Sequence, residues 1–221
     1  MPLSRNPFAA AHQRQPKEEL SRSHLLFRLI GHHLNVQEPA VAQEILESRR
    51  PHPSQPFDKQ DGVLQVIVET PKGSRNKFAF DPVQRVFTLR KVLPAGMTFP
   101  YDFGFLPRTL AADGDPIDVL LLMDEPAFPG IAIRARLIGV IEGEQTDGKK
   151  TNRNDRLVAV AEANHEYANI RKLADLPGQF LHELEDFFVN YHKLEGKRFK
   201  LLGCKDTVAA RRLIQKARKA A

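Results

Sequence analysis

From Val63 onward the chain is cut into short apolar runs separated by turn residues, and no helical spacing appears before Phe180. Val63–Val68 ends at Glu69 and is followed by Thr-Pro-Lys-Gly-Ser, a turn. Lys77–Asp81 and Val86–Val92 alternate, with Asp81-Pro82 between them. Asp118–Leu122 reads as a buried strand. Ile131–Ile141 is a long strand expected to turn Ile131, Ile133, Ala135 and Leu137 inward and Ala132, Arg134 and Arg136 outward. Leu157–Val160 closes the set. Five to seven strands with no long helix between them predict a small antiparallel barrel. Two helices follow, over Phe180–Lys193 and over Asp206–Lys219, the second opening on the capping pair Asp206-Thr207.

Length and composition narrow the class. The chain has 221 residues, 42% hydrophobic and 27% charged, a balance that suits one globular domain with appendages and argues against general disorder. A lone cysteine, Cys204, excludes a disulfide framework and a Cys-based zinc site, reads as a buried small side chain, and makes the cytoplasm the expected location. No apolar run approaches the ~18 residues of a membrane-spanning helix, and the opening MPLSRNPFAAAHQRQ lacks the apolar centre of a secretion signal. The net charge of +6 is misleading, because residues 196–221 carry +8 and the preceding 195 carry −2. The excess is one basic C-terminal segment, expected as a solvated helix face over residues 201–221.

Residues 1–56 form a separate N-terminal extension ahead of a main domain over 57–200. Leu20, His24, Phe27 and Ile30 give one helical stripe and Val41, Ile45 and Leu46 another, with Arg50-Pro-His-Pro-Ser-Gln-Pro56 as a stiff linker. His32-His33 has no further ligand at metal spacing nearby and reads as a surface pair.

The stretch that carries chemistry is Asp113-Gly-Asp-Pro-Ile-Asp118, immediately before a buried strand. Asp113 and Asp115 can face one side of a turn, Gly114 permits the bend, Pro116 blocks a helix, and Asp118 enters the strand. Three close carboxylates repel one another unless a cation neutralises them, and hard oxygen donors suit Mg²⁺ or Mn²⁺. A solvated turn is the competing reading. A calcium-binding EF-hand is excluded, since Asp118 falls where glycine is needed and Asp124 where a bidentate glutamate belongs. Further charges sit at strand ends: Glu69, Lys77, Lys91, Asp147 and Arg156. Carboxylates and cations so placed describe a site for a metal-bound phosphate.

Glu69-Thr-Pro-Lys-Gly, Lys77-Phe-Ala-Phe-Asp, Phe99-Pro-Tyr-Asp-Phe-Gly-Phe, Asp113-Gly-Asp-Pro-Ile-Asp-Val-Leu and Phe187-Phe-Val-Asn-Tyr, in this order and spacing, resemble the soluble family I inorganic pyrophosphatases over residues 60 to 200. The resemblance implies an α+β fold, a five-stranded OB-like barrel with flanking helices, and Mg²⁺-dependent hydrolysis of diphosphate to two orthophosphates. It implies Asp113, Asp115, Asp118 and Asp147 as metal ligands, with Glu69 reaching metal through water. Asp115 would also take the proton of the attacking water. Lys77, Lys91 and Tyr191 would act on the phosphates, with Arg156 as a further substrate contact. Either Arg90 or Lys91 takes the family's arginine position, and Lys91 does so without a gap. The expected partners are diphosphate and further copies of the chain, with no role for a membrane or nucleic acid.

The chain departs from the family pattern at Ala79, where a second glutamate is usual, at Phe99 and Phe103, where tyrosines are usual, at Asn154 for a fifth aspartate, at Arg156 for a lysine, and at His192 for a lysine. Tyr101 lies between the two phenylalanines and would face the other way. His192 has no carboxylate partner in the sequence and reads as a surface or capping histidine, while Tyr191 suits core and ligand roles alike. Two other readings stay open here: a degenerate homologue that binds phosphate compounds without efficient turnover, and an OB-like nucleic-acid module. The second conflicts with the acidic groove, the absence of Trp and the presence of only three Tyr.

Overall fold

In Leu64–Thr70 (β1) buried and half-buried positions alternate strictly, so Leu64, Val66, Val68 and Thr70 point inward while Glu69 is left on the outer face. The computed structural model describes residues 63–220, which lie within one compact unit. The helical stripes, linker and histidine pair expected over 1–56 lie outside the described residues. After β1 come Asn76–Asp81 (β2), Val86–Val92 (β3), Asp102–Leu106 (β4), Ile117–Leu122 (β5), Ala132–Asp147 (β6), Lys150–Arg153 (β7) and Arg156–Ala161 (β8). A short 3₁₀ turn at Leu173–Asp175 precedes Gly178–Lys193 (α1), Arg198–Lys205 (β9) and Thr207–Ala220 (α2).

Strand pairings run β1-β4-β5-β8-β6 and return from β6 to β1, so five strands form a closed ring. All pairs in the ring are antiparallel except β5–β8, where Val119 to Leu122 run parallel to Leu157 to Val160. The fully antiparallel barrel expected from the sequence is corrected at that pair. Its two strands are covered on both faces, which is why Val-Leu-Leu-Leu and Leu-Val-Ala-Val-Ala read as continuous apolar runs. One face supplies Ile117, Val119, Leu121, Leu157 and Ala159 to a core completed by Ala210, Ile214 and Ala217 of α2. The other face packs Leu120, Leu122, Val158 and Val160 against Phe180, Leu184 and Phe188 of α1.

β6 pairs with β1, β8, β9 and β7 in turn and shifts register between Leu137 and Gly139. Ala135 and Leu137 are buried as expected, whereas Ile131 precedes the strand and is 40% exposed. α2 opens as the sequence predicts: the Asp206 carboxylate accepts the Ala209 amide at 2.9 Å. Its basic residues Arg211, Arg212, Lys216 and Arg218 are exposed. β9 crosses residues 200 and 201, so the boundary drawn there by composition falls within one strand. β2 and β3 form a two-stranded ribbon outside the ring. It is stitched to the end of β1 by Thr70, whose hydroxyl exchanges 3.0 Å hydrogen bonds with the backbone of Phe78.

Candidate active site

The acidic motif is a closed loop leading into β5. The Ala111 amide donates to the Asp115 carbonyl (2.7 Å), the Gly114 amide donates to the Ala111 carbonyl (3.2 Å), and Asp113 Oδ1 accepts the Asp115 amide (3.3 Å). Gly114 sits at φ +96°, a conformation that a side chain disfavours. The loop thereby holds the carboxylates of Asp113, Asp115 and Asp118 along one wall of a cleft of about 260 Å³. Lys77, Arg156, Tyr191, Gln145 and Asn154 line the same cleft. A second cavity of about 490 Å³ shares Lys77, Asp115 and Asp118 and adds Glu69, Ala79, Phe80, Phe105 and Arg90.

Glu69 reaches the site because it occupies an outward position of β1 beneath the β2–β3 ribbon, where its carboxylate accepts the Phe80 amide at 2.7 Å. Burial raises its pKa, the Phe80 hydrogen bond opposes that, and the nearby Asp118 charge adds to the rise. Asp113 is raised in the same way, first by burial and then by Asp118 and Asp115. Both carboxyl groups feel the negative charges of Asp118 and Asp115, which Lys77 offsets only in part at Glu69.

The cations stand opposite. Lys77 and Lys91 are paired across β2–β3 next to a register shift, which leaves Arg90 as the extra residue of a bulge. That bulge lets two neighbouring cations both lie near the site: Arg90 lines the larger cavity, and Lys91 Nζ lies 3.5 Å from the centroid of the Tyr191 ring. Burial acts to lower the Lys77 pKa, but the Tyr191 phenol and the Asp118 and Glu195 carboxylates outweigh it and hold the ammonium above its ordinary range. Arg156 is 5% exposed, stacks 4.0 Å from the Phe188 ring centroid and places Nε 3.6 Å from Asp118 Oδ2. Nε of Arg156 and the hydroxyl of Tyr191 are both buried without a hydrogen-bond partner, two donors directed at a cavity that also touches Glu69, Lys77 and Asp118.

Phe99 and Phe103, where the family pattern has tyrosines, pack edge-on at 5.1 Å and join Phe187 and Tyr191 in an aromatic floor. Tyr101 faces the other way, onto Phe180, and burial pushes its phenol up to about 12. Asp147 ends β6 and does not join the cleft lining; its carboxylate lies 3.7 Å from Lys197, which does. Sequence reasoning missed Glu195 and Lys197, both of which line the cleft. Glu195 lies one helical turn beyond Tyr191, and that spacing was its only signal.

His192 is not the surface residue expected: it is 2% exposed. Its Nδ1 lies 2.8 Å from the Phe188 carbonyl, to which the neutral ring donates; Nε2, left as an acceptor, lies 3.1 Å from Gln145 Oε1 and is bonded only when the amide turns its NH₂ group toward the ring. Gln145 is in turn hydrogen-bonded to Asn154 (3.0 Å). Burial pushes the imidazole down to about 4, the Phe188 carbonyl opposing and the Arg156 charge adding to the shift. The unfolded chain binds that proton near pH 6.5 and the native state only near 4, so stability from His192 is complete above about pH 6.5 and is lost as pH falls. Urea unfolding is expected to show about 2 kcal/mol less stability at pH 5 than at pH 7 from this group. His192→Gln should remove that slope, and an equally steep variant would refute the assignment.

Among the described residues, no three His, Cys, Asp or Glu side chains converge tightly enough to cage a metal by themselves. The donor set nonetheless suits a hard divalent cation. Mg²⁺ keeps several waters and is held through one or two carboxylates together with substrate phosphate oxygens, not by an all-protein cage. Asp113, Asp115 and Asp118 supply carboxylates along one cleft, Glu69 joins Asp115 and Asp118 in the adjoining cavity, and the two unpartnered donors are available to an anion.

Comparison with known proteins agrees with this architecture. The family model for inorganic pyrophosphatase matches residues 66–221. The inorganic pyrophosphatase of Synechocystis sp. is 40% identical over 160 residues, covering 72% of this chain and 92% of the relative. That of Nostoc sp. is 39% identical over 165 residues, covering 75% and 95% respectively. The crystal structure of inorganic pyrophosphatase from Thermus thermophilus superposes with a TM-score of 0.68 at 32% identity, over 75% of this chain and 94% of that one. With the family model spanning most of the sequence and relatives of this identity matched over nearly their whole length, the chain belongs to the inorganic pyrophosphatase family.

Proposed function

We propose that this protein is an inorganic diphosphatase that hydrolyses diphosphate to two orthophosphates with a divalent cation, Mg²⁺ or Mn²⁺, held by the acidic wall of the cleft. Family membership supports the reaction and a divalent cofactor. The observation that carries the assignment to this site is the facing arrangement within one cleft: Asp113, Asp115 and Asp118 against Lys77, Arg156 and Tyr191. The ring of five strands is read as an OB-like barrel.

Asp113, Asp115 and Asp118 would hold the cation, with Glu69 acting through water and Asp147 brought in from the end of β6. Bound there, a divalent cation screens the carboxylates from the phosphates and lowers the pKa of water for attack near neutral pH. Asp115 receives the proton of the attacking water. Lys77, Lys91 and Arg156 bind the phosphate oxygens, and the unpaired Tyr191 hydroxyl donates to one of them. The aromatic floor of Phe99, Phe103 and Phe187 keeps that end of the cleft dry, which strengthens each contact. The neutral His192–Gln145–Asn154 chain replaces charges in the family pattern and leaves phosphate charge to be met by Lys77, Lys91 and Arg156. A cytoplasmic location and self-association complete the reading.

Counting orthophosphate against diphosphate consumed tests the function. Two phosphates per diphosphate are expected, and any other product would overturn the reading.

A further inference from the structure

Glu195 is absent from the carboxylates assigned to metal above, yet it makes the shortest ion pair of the site. It lies in the turn after α1, where its amide donates to the His192 carbonyl at 2.9 Å and fixes the backbone. Oε1 lies 2.6 Å from the Lys91 ammonium, and Oε2 lies 3.8 Å from Lys197. Lys91 is at the same time pressed against the Tyr191 ring, 3.5 Å from its centroid. Glu195 lines the cleft together with Lys77, Asp115, Asp118 and Arg156.

We propose that Glu195 is a positioning residue that, in the substrate-free enzyme, occupies the place beside Lys91 taken by a phosphate oxygen during turnover. The proposal rests on the diphosphatase reading. A carboxylate oxygen and a phosphate oxygen are both anionic acceptors and engage an ammonium in the same way. Burial acts to raise the Glu195 pKa, but Lys91 and then Lys197 outweigh it, so the group is ionised at neutral pH. With one side of the Lys91 ammonium against the ring, an incoming phosphate must share or displace Glu195. The carboxylate therefore keeps Lys91 in register over Tyr191 while lowering the affinity for phosphate in the ground state, which favours product release. A purely structural ion pair would do the opposite on removal, because a displaced Lys91 binds phosphate less well.

Calorimetric titration of the full chain with orthophosphate in Mg²⁺ separates the two. Glu195→Gln should bind orthophosphate about two- to fivefold more tightly than wild type, the range that partly exposed charge pairs support. KM for diphosphate should fall with kcat, not rise. Glu195→Asp, which retracts the charge by one methylene, should give the same ordering at smaller size and serves if the glutamine variant melts early. In a Lys91→Gln background the gain should vanish. Unchanged or weaker phosphate binding in both variants, or a gain that survives without Lys91, would overturn the proposal. If wild type hydrolyses diphosphate and the variants behave so, only the role of Glu195 fails. If wild type hydrolyses nothing, the reading beneath it fails as well.

Discussion

Replacing Asp115 by Asn is expected to lower kcat for diphosphate by about a thousandfold, some 4 kcal/mol of barrier, with little change in thermal stability. Asp115 is the proposed base, and the geometry gives its side chain almost no structural role. It sits on an exposed loop, and its side chain accepts no hydrogen bond from the described residues; its backbone closes the loop through the Ala111 amide, a bond that asparagine leaves in place. It also lines both cavities, with Asp118 and Lys77 as shared neighbours. Asparagine keeps the volume and one oxygen but loses the charge and the ability to take up a proton. Steady-state kinetics beside a melting curve check it. A variant that keeps more than about a tenth of the wild-type rate would move the base elsewhere, since proton transfer in the transition state contributes roughly 10²- to 10⁴-fold.

Gly104→Ala is expected to be the most damaging small substitution, destabilising the protein by about 3 kcal/mol and lowering the melting temperature by roughly 6–12 °C. Gly104 lies in β4 opposite Val68 of β1, on the strand pair that helps close the five-stranded ring. A Cβ there would run into the carbonyl oxygen of Ile67, and it would come within 3.0 Å of Val66 Cγ1. The obstacle is backbone, which cannot rotate aside, and moving β1 would drag Glu69 from the Phe80 amide. Loss of activity should follow the loss of folded protein. A Gly104→Ala variant melting within about 2 °C of wild type would show that the ring opens more easily than its packing implies.

The same glycine illustrates what the sequence disclosed. Phe99-Pro-Tyr-Asp-Phe-Gly-Phe was legible as a motif and as strand-like around Tyr101 but was not counted among the strands, because Asp102 and Gly104 are residues that strands disfavour. Asp102 is nevertheless 1% exposed, its carboxylate accepting the Ala127 amide at 2.9 Å. β9 was hidden for a related reason: Arg198, Lys200 and Lys205 made it look like part of a solvated basic tail, while Phe199 is buried between them. The Asp113–Asp118 loop was readable because local turn chemistry places its carboxylates without long-range help. Lys77 followed from its place at a strand end. Which of Arg90 and Lys91 serves the site was not readable, since a bulge admits both and leaves no mark in the spacing. The parallel pairing of β5 with β8, the burial of His192 and the approach of Glu195 and Lys197 all depend on contacts between distant segments. Periodicity carries no information about those.

The carboxylate wall and the facing cations are proposed to form a metal-dependent diphosphate site. The decisive measurement is the initial rate of orthophosphate release from diphosphate at neutral pH, with the full chain in Mg²⁺ and again after chelation. Rapid release in Mg²⁺ that collapses on chelation and returns when metal is restored is the expected result. A folded protein that releases no phosphate with Mg²⁺ or Mn²⁺ supplied, or releases it at the same rate with metal chelated, would contradict the account.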